Sequence, residues 1–457
     1  MSVVAVIGAP RVALAIKAVV LSLACALAPQ AGSAHPIGES VYFQVARVPS
    51  ADAPIGLGLD IGNEAREVSS FAAFMPMPDA DSLRARIAAL EEDGDSWSPQ
   101  FAELNEQLGH VLQAEGEHDA ALAAFDRSFQ ANRRFEGLHS PAQTALMRAQ
   151  IDSHRALGDA DMVDQLQDSL FAMQLDLLAD RPAELADAYR DAADWNVQYY
   201  LETEPVAAGS MTDAHRRERS DRLATALGQY HRALWLLTSN APDALHADKA
   251  MLERRIAALT LIADRQYQHQ VPSSVTKPNL ASLRQSKHMH NPTLFAHGSA
   301  ALQRAAAYGA DGAEPPQRAM RQLELADWYL LMDRHEQARE AYRAALATLR
   351  AANLPEAEIV DFVESGFPVH DPERELRSLA LAPDAGFDGY IDVSFDVDRF
   401  GKAHNPRVLA SADDVAYDDW LEYELLREIR SGRFRPGFAD DVPVARDDVT
   451  LRYYFAR

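Results

Sequence analysis

The sequence predicts a mainly α-helical chain closed by a small α+β domain, and three observations carry that expectation. From about residue 98 to 352, apolar residues recur at helical spacing, with glycines where one helix gives way to the next. Two distant segments of that region repeat the same offsets of small and aromatic residues. Beyond a proline-containing stretch at 353–385, the pattern changes to alternation by two: Ile391, Val393, Phe395 and Val397 interleave with Asp392, Ser394, Asp396 and Asp398. Such alternation belongs to a strand with one buried and one wet face.

In the helical region, the segment LNEQLGHVLQAEGEHDAALAAFDRSF places Leu108, Gly109 and Leu112 on one helix, Gly116 in a turn, and Ala121 and Phe125 on the next. The segment LELADWYLLMDRHEQAREAYRAAL sets Leu325, Ala326, Tyr329, Ala338, Tyr342 and Ala345 at those offsets. This arrangement resembles the tetratricopeptide repeat, in which small residues let paired helices approach and aromatics fill the next layer. Weaker copies lie between, with a turn at Gly158 and long helical stretches near 182–203, 216–239 and 243–270. A repeat-like solenoid is the expectation; an irregular alanine-rich bundle is its alternative. Residues 271–295, rich in proline and serine, read as a loop.

The terminal domain, 386–457, reads strand, hairpin, strand, helix, strand, giving a three-stranded antiparallel sheet with one helix packed on it. Gly401 suits a hairpin position with positive φ, and Val408 and Leu409 lie in the returning strand. Asp413 or Asp414 can cap the helix, Asp418 and Asp419 suit its positive end, Arg427 and Arg430 its negative end, and Gly432 stops it. Tyr417, Trp420, Leu421, Leu425 and Ile429 form its apolar stripe. Val449, Leu451, Tyr453 and Phe455 repeat the alternation in the closing strand. With the Gly389-x-Ile391-x-Val393-x-Phe395-x-Val397 strand, Gly401, Val408 to Ser411, the run Phe434-Arg435-Pro436, and Pro443-Val444, this ordered set resembles the periplasmic C-terminal domain of TonB-type energy transducers. The chain departs from that pattern in the acidic start of its helix and in the bulky hairpin tip Asp398-Arg399-Phe400-Gly401-Lys402.

The formal charge of −24 offers no basic patch for phosphate and argues against nucleic acid. Residues 1–34 read as a secretory signal, with Arg11 and Lys17 ahead of the apolar stretch Ala18 to Ala28 and small residues Gly32-Ser33-Ala34 before His35. An uncleaved anchor is the competing reading, although the run after Lys17 is short for a span of about 20 residues. Cys25 is the only cysteine and leaves with the signal, so the mature fold relies on an ordinary hydrophobic core. Residues 35–97 form a poorly defined segment in which VYFQVARV suits a short strand and Gly56, Gly58 and Gly62 mark a loop.

No nucleophile elbow, P-loop or His-Glu-x-x-His motif is present, and Asp396-x-Asp398-x-x-Gly401 lacks the ligands that a calcium loop needs at Phe400 and Arg407. Histidines 288 and 290 with Met289 and His297, or His35 as a mature N-terminus, offer copper-type donors, with a polar loop as the bland reading. The expectation is a non-enzymatic protein without cofactor. Repeats would hold one partner, and the open sheet edge an extended peptide. The resemblance implies the closing strand as that edge, at Thr450, Leu451, Arg452, Tyr453 and Tyr454. It further implies envelope proteins as partners, among them a TonB-dependent outer-membrane transporter. The expected location is the periplasm, with membrane association only through partners or an uncleaved anchor. In the alternative, the chain is a membrane-anchored energy-transducing component of outer-membrane transport.

Overall fold

The structure, a computed structural model, describes residues 42–47, 79–203, 212–241, 244–270, 290–308, 310, 313–363, 369, 389–411 and 419–456. The signal region, Cys25, His35, His288, Met289, Tyr417, and the helix-cap candidates Asp413, Asp414 and Asp418 lie outside these residues.

Twelve helices precede the terminal sheet in the described residues: α1 (Ala80–Glu92), α2 (Pro99–Ala114), α3 (His118–Glu136), α4 (Pro141–Ala156), α5 (Ala160–Leu177), α6 (Pro182–Glu202), α7 (Asp213–Asn240), α8 (His246–Gln270), α9 (Pro292–Ala307), α10 (Pro315–Leu331), α11 (His335–Ala351) and α12 (Glu356–Val363). Their starts are chemically marked. Ser98 and Ser140 accept hydrogen bonds from Phe101 and Gln143 backbone N–H groups, and each is followed by proline at the first helical position. Asn291 does the same ahead of Pro292, and Glu314 with Gln317 makes a capping box ahead of Pro315.

Neighbouring helices pack as antiparallel hairpins, α2 with α3, α4 with α5, α6 with α7, α8 with α9, and α10 with α11. The hairpin turns repeat one backbone device. At Gly116, Gly158 and Asp333 the chain enters the left-handed region, at φ of 79°, 74° and 52°. The next residue then donates its N–H to a carbonyl near the end of the first helix: Glu117 to Leu112, Asp159 to His154, Arg334 to Tyr329, at 2.7 to 2.9 Å. Close approach depends on small residues, as expected. A Cβ on Gly109 would fall 2.4 Å from the Phe125 ring, and one on Gly298 would fall 2.1 Å from the Trp328 ring. The tetratricopeptide-like solenoid is thus the observed architecture of the helical region.

Its limits differ from the sequence reading. The array begins at α1, inside the segment expected to lack definition, because Leu83 and Ile87 pack into the core of α2 and α3. It runs past residue 352, because Ile359 and Val363 of α12 are fully buried at its other end. The predicted loop at 271–295 gives way to helix at Pro292.

The terminal domain comprises β2 (Gly389–Val397), β3 (Ala403–Ser411), α13 (Asp419–Ser431), β4 (Gly437–Ala439), β5 (Val442–Val444) and β6 (Arg446–Ala456). Leu421, Leu425 and Ile429 of α13 pack with Ile391, Val393, Phe395, Val397, Val449, Leu451, Tyr453 and Phe455 in one core. The three predicted strands are present and antiparallel, but the sheet has a fourth. Residues Tyr42–Arg47 form β1, and the strand order is β1-β6-β2-β3. The short β4–β5 ribbon stands apart as a second sheet.

Candidate interaction surfaces

The peptide-binding expectation at Thr450 to Tyr454 requires β6 to be an edge strand, and here the structure corrects it. β6 is an interior strand. β2 pairs with it from Gly389↔Phe455 to Val397↔Arg446, and β1 pairs with it from Tyr42↔Ala456 to Arg47↔Leu451. The expected alternation holds: Leu451 and Tyr453 are buried against α13, and Arg452 and Tyr454 face the other way. Arg452 is committed, however. Its guanidinium grips Asp392 through two hydrogen bonds of 2.8 and 2.9 Å and lies 3.8 Å over the Tyr390 ring. The opposite margin of the sheet is β3, which carries Pro406, register shifts against β2 and Asn405 at φ 50°. These features blunt an edge against casual strand pairing.

The terminal domain is seated on the last hairpin of the array through residues that no local sequence pattern pairs. Asp327, in the middle of α10, is completely buried. It receives two nitrogens of Arg435, with contacts of 2.8 to 3.1 Å, and the Tyr342 hydroxyl at 2.6 Å. Burial and the neighbouring Asp327 carboxylate together push the Tyr342 hydroxyl well above its ordinary pKa, so it remains a donor. Asp327 stands at the offset held by His110 in the first good repeat, and Tyr342 at that of Phe125. The repeat scaffold has therefore been adapted here for docking. A charged residue in the stripe LELADWYLL is the one available signal, but its partner lies 108 positions away.

A second contact begins at the left-handed turn residue Asp333. Its carboxylate accepts from Arg433 at 3.0 Å and lies 3.8 Å from His290 Nε2. His290 Nδ1 in turn pairs with the buried Asp264 at 2.6 Å, whose other oxygen accepts the Asn291 N–H. His290, a candidate copper donor, is therefore held on both ring nitrogens by carboxylates; His297 is exposed on α9. The described residues contain no cluster of three or more acidic, histidine or cysteine side chains placed for a metal.

Burial alone would lower the His290 pKa, but its hydrogen bond to Asp264 and the nearby Asp333 carboxylate outweigh that and push it up to about 9 from 6.5. Burial likewise works against ionised Asp333, yet the His290 ring 3.8 Å away and the hydrogen bond from Arg433 hold its carboxyl below the usual range. The folded chain keeps the histidine proton where the unfolded chain has lost it. The stabilisation is complete below about pH 6.5 and disappears as pH rises through about 9. Thermal melts from about pH 6 to 10 should show a falling midpoint in the wild type, and His290→Gln should flatten that fall. An equal slope in the variant would contradict the assignment.

Apolar contacts complete the seat. Phe400 at the hairpin tip packs on His335, ring centroids 4.8 Å apart, and Phe438 packs on Tyr342 at 5.2 Å. The bulky tip that departs from the TonB pattern is thus used against the array. Arg350 of α11 bridges Asp441 at 2.5 Å and Glu356 at 2.9 Å. Beside that bridge, Leu346, Val360, Val363 and Phe438 line a groove of about 390 Å³. A smaller groove of about 220 Å³ lies between α4, α5 and α6, lined by Arg148, Asp152, Arg155, Leu170 and Phe171 among others.

No family model matches the chain, and no curated protein does. Among solved structures it is similar to BtubC (BKLC) from P. vanneervenii, at 12% identity over 60% of this chain and 88% of that one, with a TM-score of 0.32. It is also similar to a kinesin light chain type protein of Podosopora anserina with nearly identical TPR-like repeats. That match has 12% identity over 56% of this chain and 97% of the other, with a TM-score of 0.34. No described helix is long and apolar enough to cross a membrane.

Proposed function

We propose that this chain is a non-enzymatic protein–protein interaction adaptor of the bacterial periplasm, delivered there by the cleavable signal read in residues 1–34. Among the described residues five stacked helical hairpins present an extended surface, and such arrays bind other proteins along their length. The observation that carries the reading is the seating of the small sheet domain on the last of those hairpins. Asp327 with Arg435, and Asp333 with Arg433, fix the second module relative to the first. A flexible tether would leave two binding modules independent, whereas this seat holds them in one geometry.

The sheet domain resembles that of TonB-type transducers, which supports an extended segment of an envelope protein as its partner, with a TonB-dependent transporter among the candidates. In this role the array holds a second envelope protein, and no chemistry is performed. Photo-crosslinkers placed in the full-length protein at Arg148 and Gln167, beside the α4–α6 groove, and at Leu409 on β3, test the reading in envelope fractions. One defined partner should be captured from the array positions, and N-terminal sequencing should begin at His35. A chain starting at Met1 in the inner membrane, or array positions that capture no defined protein, would overturn it.

A further inference from the structure

The feature left unused by this reading is β1. Tyr42–Arg47 pairs with the closing strand across about 400 positions of sequence and occupies the β6 edge that the other three strands leave open. Ile391, Val393, Phe395, Leu421, Leu425, Ile429 and Phe434 are buried among β2, β6, α13 and the Phe434 turn. Within the sheet, β1 is held along one side by six residue pairs, whereas β2 is held on both sides. A terminal strand attached through a single ladder opens at lower free energy than the strands inside it.

Its sequence shows what the position accepts. Phe43 and Val45 stand at register positions opposite Phe455 and Tyr453, whose side chains line the core, while Gln44 stands opposite the outward Tyr454. The alternation apolar, polar, apolar over Phe43-Gln44-Val45 thus matches the alternation of β6 itself.

We infer that β1 is a resident strand in an exchangeable site. An extended polypeptide of the same alternation, running antiparallel to β6, takes its place when a partner binds. This rests on the adaptor reading and adds regulation to it. The chain carries its own competitor, so a guest strand must outcompete a segment tethered at high effective concentration. The occupied edge is also shielded from indiscriminate pairing with other exposed strands.

The probe is a labelled synthetic peptide of residues 40–49, titrated against the full-length protein by fluorescence anisotropy. Two variants open the site. One lacks residues 42–47. The other, Gln44→Pro/Val45→Pro, removes two successive N–H groups, one of which must face β6. Both variants should retain the helical circular dichroism of the wild type and bind the peptide at least about tenfold more tightly than it does. A peptide with aspartate in place of Phe43 and Val45 should lose that gain. Folded variants that bind no better than wild type, or equal binding of the aspartate peptide, would overturn the inference. Because crosslinking at Arg148 and Gln167 probes the array alone and peptide binding probes the sheet edge alone, failure here leaves the adaptor reading standing, and the two failures are told apart.

Discussion

Arg435→Met should lower the stability of the full chain by about 3–5 kcal/mol, the range for removing one member of a buried ion pair. Asp327 would keep the Tyr342 hydroxyl, but its negative charge would lose a guanidinium that is 9% exposed and contributes three contacts within 3.1 Å. The carboxylate itself is 0% exposed, so water cannot replace what is lost. The companion Asp327→Leu/Arg435→Met should recover part of the deficit, since two apolar residues need no partner, while the Tyr342 hydroxyl, left without its acceptor, retains about 1–3 kcal/mol of it. Urea titrations followed by tryptophan fluorescence read this directly, because Trp328 adjoins Asp327 on α10 and is fully buried. If the double variant is as unstable as the single, the cost comes from packing and not from charge.

Gly401→Ala should be nearly as damaging, for two separate reasons. At φ +77° any side chain carries a penalty of about 1–2 kcal/mol. A Cβ there would also lie 2.5 Å from the Phe434 carbonyl oxygen and 2.9 Å from Leu330 Cδ2. The backbone oxygen cannot step aside, because Gly401 C=O accepts the Phe434 N–H at 2.9 Å and ties the hairpin to the docking run. Gly116→Ala is the control: φ is +79°, but nothing lies within 4 Å of the added carbon. The control should lose about 1 kcal/mol and Gly401→Ala clearly more, by roughly another 1–3 kcal/mol for overpacking. Equal losses in the two variants, measured by the same urea titrations, would mean that the close approach costs nothing.

These two positions show where sequence reading succeeds and where it stops. Gly116 and Gly158 are legible as turns because glycine is the usual residue for positive φ. Asp333 adopts the same conformation, and nothing local announces that an aspartate will do so there. Gly401 is legible as a hairpin residue from its flanking alternation. Its contact with Leu330 depends on how two domains meet, which no local pattern encodes. The strands of the terminal sheet, and which of their residues face inward, follow from period-two alternation alone. Whether β6 is an edge does not follow, because openness belongs to the whole chain. VYFQVARV is readable as a strand, but a strand's neighbour hundreds of positions away leaves no mark on its own sequence. Arg435 stands out as part of Phe434-Arg435-Pro436, while its partner is hidden inside a helical repeat whose equivalent residue, His110, packs edge-on to Phe125 instead.

Stacked hairpins are stabilised mainly by the hairpin on either side, so the two extremities of such a stack are its weakest points. Among the described residues only one extremity is left in that condition, because the sheet domain closes over α10 and α11 with ion pairs and buried aromatics. Thermal fraying therefore acquires a direction. Loss of structure should enter at α1, travel inward hairpin by hairpin, and reach the seat of the sheet domain last, so the two modules stay in register even while the far end of the array breathes.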